Sequence, residues 1–201
     1  MLLIKVKGIM FDKPLDTPEK KMVHLQDRIN EHVKILEIAF NENGLEPFAL
    51  LLCENTELYL PLSFEDVNNK FGIIGEATDQ FSAFAVMIFS EAWIVKKSAE
   101  EADKLEKMGM TISASKHPER IEVVMIVVKV YDEDLKINGK RMIGFNYPII
   151  VKDGVRTFGT SKEDRYAFGM GNIEGAEFRG DIGTLTEKDG SARRYFRMSM
   201  N

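Results

Sequence analysis

Hydrophobic residues crowd into two runs, FSAFAVMIFSEAW (Phe81 to Trp93) and IEVVMIVVKVY (Ile121 to Tyr131). Both are rich in β-branched and aromatic residues, which suit a pleated, half-buried surface. Neither alternates with polar residues for most of its length. Both are therefore expected to be central strands of one sheet, covered on two faces. Period-two alternation assigns Phe84, Val86, Ile88, Ser90 and Ala92 to one face of the first strand. Ala85, Met87, Phe89, Glu91 and Trp93 fall on the other.

The rest of the chain is patterned around this pair. Residues 2–11 alternate in part and predict a short strand. Thr17-Pro18 reads as an N-cap followed by proline at the first helical position. Met22, Leu25, Ile29, Val33, Leu36 and Phe40 then recur at three- and four-residue steps, predicting an amphipathic helix that ends near Asn41–Gly44. His24 and His32 read as surface or boundary residues of this helix. The runs PFALLLC and ELYLPL predict a hairpin over 48–62, with Pro61 at an edge or strand end. Ser63 caps a second helix whose apolar face is Phe64, Val67, Phe71 and Ile74, running to about Asp79. Ser98 with Glu101 starts a short charged helix that Gly109 stops. Asn138-Gly139 and Asp153-Gly154 are turn signals on either side of the strand 141–151, giving an antiparallel meander into VRTF.

These elements predict an α+β fold. An antiparallel sheet of about five or six strands carries two main helices, 18–42 and 64–79. From Gly159 onward the pattern changes, and residues 159–201 hold seven of the fifteen glycines. The expected division is a single α+β domain over 1–158 and a Gly-rich C-terminal extension over 159–201. A hairpin of 182–186 with 192–198 is expected around Asp189-Gly190.

Composition narrows the functional classes. The chain has 201 residues, 44% hydrophobic and 29% charged, enough for a core without staples. A formal net charge of −5 argues against a dedicated nucleic-acid surface. The single cysteine, Cys53, lies in the apolar run FALLLC and reads as a buried, inert thiol. One cysteine forms no internal disulfide, which fits a reducing compartment. The N-terminus lacks a sustained apolar stretch, and no run reaches a membrane span, so a cytoplasmic location is expected, in the host cytoplasm if the chain is viral.

The chemistry-bearing residues gather where the first core strand ends and the second begins. Glu91 and Trp93 close the first; His117, Pro118, Glu119 and Arg120 precede the second. If the strands pair antiparallel, Glu91, His117 and Arg120 converge at one rim. A carboxylate beside an imidazole is a general acid/base pair, and a guanidinium clamps a phosphate or carboxylate. Glu91 and His117 are thus the catalytic candidates, and Glu91, Trp93, His117 and Arg120 the binding candidates. The structural alternative makes Glu91 and Arg120 an ion pair, packs Trp93 beneath the 98–108 helix and leaves His117-Pro118 as a turn. Arg193, Arg194, Tyr195, Phe196 and Arg197 interleave cations with aromatics, so Arg193 and Arg194 are further binding candidates. Asp132, Glu133 and Asp134 read as a charged turn in preference to a metal site, and FGMGNIEG (168–175) as a loop in preference to a phosphate cradle. No cofactor or metal is expected, because the sequence has no Walker loop, no G-x-S-x-G, no H-E-x-x-H and no Cys/His ligand set.

SEAW (Ser90–Trp93), a charged insert and HPER (His117–Arg120) opening an apolar strand resemble a loosely defined group of small phage, prophage and microbial proteins. The resemblance covers about 80–131 and implies a phage or mobile-element accessory protein; it implies no catalytic residues. The leading expectation is a non-enzymatic binding protein that captures a host protein or small ligand. The alternatives are a small hydrolase or nuclease-like enzyme using the Glu91/His117/Arg120 rim, and a homo-oligomer assembling through the C-terminal arm.

Overall fold

The computed structural model describes residues 7–62, 70–94, 118, 120–159, 166–168, 176–179 and 197–200. The elements follow in chain order: β1 (Lys7–Met10), α1 (Pro18–Ala39), β2 (Phe40–Asn41), β3 (Gly44–Leu45), β4 (Phe48–Leu52), β5 (Thr56–Pro61), α2 (Lys70–Phe81), β6 (Ala85–Ile94), β7 (Ile121–Val130), β8 (Met142–Lys152), β9 (Val155–Phe158), β10 (Tyr166–Phe168), β11 (Ala176–Arg179) and β12 (Arg197–Met200). The fold is α+β, as the pattern predicts. Among the described residues the main sheet has eight strands, in the order β1-β5-β4-β6-β7-β8-β10 with β9 branching from β8. This exceeds the five or six expected, because short edge pieces such as the three-residue β10 have too little hydrophobic pattern to count.

The two apolar runs are adjacent central strands. β6 pairs with β7 along its whole length, from Ala85 opposite Val130 to Ile94 opposite Ile121. Both faces are covered. Ala85, Met87 and Phe89 of β6 join Leu25, Ile29 and Leu36 of α1 in one buried cluster. Val86 and Ile88 join Ile73, Ile74 and Ala77 of α2 in the other. The alternation matches the sequence with one correction. Phe84 precedes the strand, so it escapes the period and joins the α1-side cluster.

α1 begins as its cap predicts. Thr17 is extended (φ −124°, ψ 153°), its side chain accepts from Lys20 N–H, and Pro18 follows. It ends at Ala39, earlier than the expected 41–44, because Phe40 is extended and pairs across a tight turn with Leu45. His32 corrects the boundary reading. It is buried, donates from Nδ1 to the Ile29 carbonyl, and accepts at Nε2 from the Tyr147 hydroxyl. Its ring stacks on Phe145 at 4.4 Å. The 25, 29, 32, 36 spacing places His32 on the apolar stripe, a signal that residue type concealed.

β8 changes partners at a proline. It follows β7 as far as Val123 opposite Pro148, then pairs with β9 from Ile149 to Lys152. The Pro148 carbonyl accepts from the Gly159 N–H at 3.0 Å, where the β9 pairing ends. The hairpin turns at Asp153 and Gly154, both with positive φ (52° and 79°), as the dipeptide predicts. Cys53 is buried, and burial pushes its thiol up to about 11, so it is inert as expected.

Among the expected elements, the cap of the second helix at Ser63, the 98–108 helix and the 182–186 strand fall outside the described residues. β12 pairs instead with β11, Arg179 opposite Arg197 through Ala176 opposite Met200.

Candidate functional site

The rim where β6 ends and β7 begins lies on the α1 side of the sheet. Glu91 and Trp93 share the parity of Phe89, and Glu122 shares that of Val124. Trp93 stands directly opposite Glu122. Two neighbours close over this corner. One is the β2–β3 turn; the other is β9, held to it by a Phe40–Phe158 ring contact at 5.3 Å.

Arg156 of β9 organises the corner. Its Nη2 donates to Glu91 Oε2 at 3.0 Å and to Glu122 Oε1 at 2.8 Å. Its Nη1 donates to the Asn43 carbonyl at 3.3 Å. Glu91 Oε1 accepts from the Leu45 N–H at 2.8 Å. Glu91, through its hydrogen bond and charge, and Glu122 hold the Arg156 guanidinium protonated above its ordinary value, against the opposing pull of burial. Gly44 fits this clamp because it has no side chain. With φ at +101°, a Cβ there would come within 2.2 Å of Glu91 Oε1 and 2.5 Å of Arg156 Nη1.

The sequence-predicted residues divide here. Glu91, Trp93 and Arg120 lie at the same end of the β6–β7 pair, while the expected convergence with His117 involves a residue outside the described ones. The guanidinium on Glu91 comes from Arg156, which the sequence did not single out. Arg120 instead lies over the Trp93 ring, its Cζ 4.4 Å from the centroid. Trp93 is 39% exposed. His117, Arg193 and Arg194 lie outside the described residues. Nothing near Arg156 in the sequence marks it; the residue is found only by the β8–β9 hairpin folding back over the corner. Asp132 is engaged as a charged turn, bound by Lys21 Nζ at 2.8 Å and by the Asp134 N–H at 3.0 Å.

An acid–imidazole–guanidinium cluster forms elsewhere, where the sequence pattern marked none. Glu57 of β5 meets His24 Nε2 at 3.3 Å and Arg28 Nε at 2.8 Å, tying α1 to the sheet. Phe11 packs its ring edge on His24 at 4.9 Å. Burial pushes the Glu57 carboxyl up, but His24 and Arg28 outweigh it and leave the value below the ordinary 4.5. A carboxylate depressed on folding stabilises the fold above its unfolded value. That contribution is lost as pH falls below 4.5 through the lower folded value. Glu57→Gln is therefore expected to flatten the acid limb of stability. Urea denaturation from neutral pH down to about pH 3 measures it; an acid limb as steep as the wild type's would refute the assignment.

No helix among the described residues is long and apolar enough to cross a membrane. Comparison with protein-family models, with curated proteins and with solved structures finds no match.

Proposed function

We infer that the protein is a non-enzymatic binding protein whose contact surface is the rim around Trp93 and Arg120. The observation that carries this reading is the Trp93–Arg120 stack, exposed at the end of a central strand that is buried from residue 85 to residue 90. Tryptophan and arginine dominate binding hot spots. A ring mounted on a rigid sheet end loses little freedom on contact, so little of the binding energy is spent on ordering it.

Glu91 supports the same reading from the opposite direction. Each of its oxygens accepts a hydrogen bond from the protein, one from Leu45 and one from Arg156. A carboxylate so held serves as a strut better than as a proton carrier. The partner is a host protein or small ligand. The SEAW and HPER tetrapeptides favour an accessory factor of phage or mobile-element type.

The test compares species co-purifying with the wild-type chain and with Trp93→Ala, identified by mass spectrometry. A specific species retained by the wild type and lost from the variant is expected, with a loss of about 2 kcal/mol or more in affinity. Trp93 is the single tryptophan of the chain, so titrating that species should shift the intrinsic emission. Finding nothing specific, or the same species on both chains, overturns the reading.

A further inference from the structure

We propose that Asn138–Gly139 is a site of spontaneous deamidation, which converts the turn to aspartate or isoaspartate. The chain has two described Asn-Gly pairs, and the structure treats them differently.

Asn138 and Gly139 form the exposed tip between β7 and β8. Both have positive φ, 49° and 77°. Two backbone bonds close the hairpin beneath them: Ile137 N–H to the Lys140 carbonyl at 2.8 Å, and Lys140 N–H to the Ile137 carbonyl at 3.0 Å. Nothing lies within 4 Å of where a Gly139 side chain would project, so the tip has room to rearrange.

The reaction needs only water. The Gly139 backbone nitrogen gives its proton to solvent base and attacks Asn138 Cγ. The bond from Cγ to the side-chain nitrogen breaks, and that nitrogen leaves as ammonia after taking up a proton. The five-membered imide is then opened by water at either carbonyl. The sum is asparagine plus water giving aspartate or isoaspartate plus ammonia, with no change of oxidation state.

The two sites differ in flanking sequence and in how firmly the backbone is held. Lys136, Lys140 and Arg141 flank Asn138 in sequence, and nearby cations stabilise the amide anion that attacks. Asn43–Gly44 is flanked by Glu42 and Glu46 instead. Its backbone is also pinned. The Asn43 carbonyl accepts from Arg156 at 3.3 Å, the Asn43 N–H donates to Asn41 Oδ1 at 2.8 Å, and Gly44 is buried against Glu91. Ring closure there must first break the clamp.

The test is peptide mapping by mass spectrometry of the full-length chain held at mildly alkaline pH, native and in urea. In the native chain the amide-to-acid mass gain should build up at Asn138 at least about ten-fold faster than at Asn43. In urea, where the clamp is gone, that ratio should shrink to a few-fold. Asn138→Gln should remove the gain from its own peptide without accelerating Asn43. An Asn138 that stays an amide in the native chain, or converts no faster than Asn43, overturns the proposal.

Discussion

Phe89→Ala is expected to lower the unfolding free energy by about 3–5 kcal/mol, a large part of the roughly 5–15 kcal/mol that holds a domain together. Phe89 is fully buried on the α1 face and stacks on Phe48, with ring centroids 4.5 Å apart and planes 8° from parallel. It lies on the central strand between two hydrogen-bonded neighbours, so the sheet has little freedom to collapse into the space left. Urea denaturation should show a lower midpoint with an unchanged slope, the sign of lost stability and not of a changed denatured state. Phe89→Leu, which keeps most of the volume, should cost far less. A loss under about 1 kcal/mol for the alanine variant would mean that the two faces repack more freely than the structure implies.

Gly44→Ala is expected to cost about 2–4 kcal/mol, the sum of backbone strain and of a displaced ion pair. Its φ of +101° is one that L side chains rarely adopt, and the new methyl would occupy the space of Glu91 Oε1 and Arg156 Nη1. The second part can be isolated. Arg156→Met removes the clamp while keeping much of the side chain's length. Gly44→Ala in that background should cost less than in the wild type, by more than about 0.5 kcal/mol. Additive losses would show that the methyl acts through the backbone alone. The same pair of variants bears on binding. A clamp that only supports the Trp93–Arg120 rim should weaken partner capture less than Trp93→Ala does, since truncating a residue at the contact costs more than loosening its support.

Fold class and core were legible in the sequence because they depend on local pattern. The β6–β7 pair could be read from two unbroken apolar runs, and α1 from Thr17-Pro18 and its three- and four-residue steps. The Asn138-Gly139 and Asp153-Gly154 turns needed only their dipeptides, since positive φ is a property of the residue and its neighbour. The two-residue β2 and β3 and the three-residue β10 escaped because so few residues carry no period to measure. His32 escaped for a different reason: its position on the helix stripe was clear, but its residue type suggested a surface, and its burial rests on tertiary partners such as the Tyr147 hydroxyl beside the local Ile29 carbonyl.

The rim shows the same division more sharply. The sequence by itself determined that Glu91 and Trp93 would leave the core strand close to Arg120, because antiparallel pairing of adjacent runs brings the end of one to the start of the next. Tertiary structure alone decided which cation each would meet. Arg156 reaches Glu91 across 65 positions, through a hairpin that peels away at Pro148 and folds over a turn whose glycine leaves it room. Such a pairing depends on side-chain reach and on the bend of a third strand, and neither leaves a periodic trace in the chain. With Glu91 taken by Arg156, Arg120 lies over the Trp93 ring instead of pairing with the carboxylate.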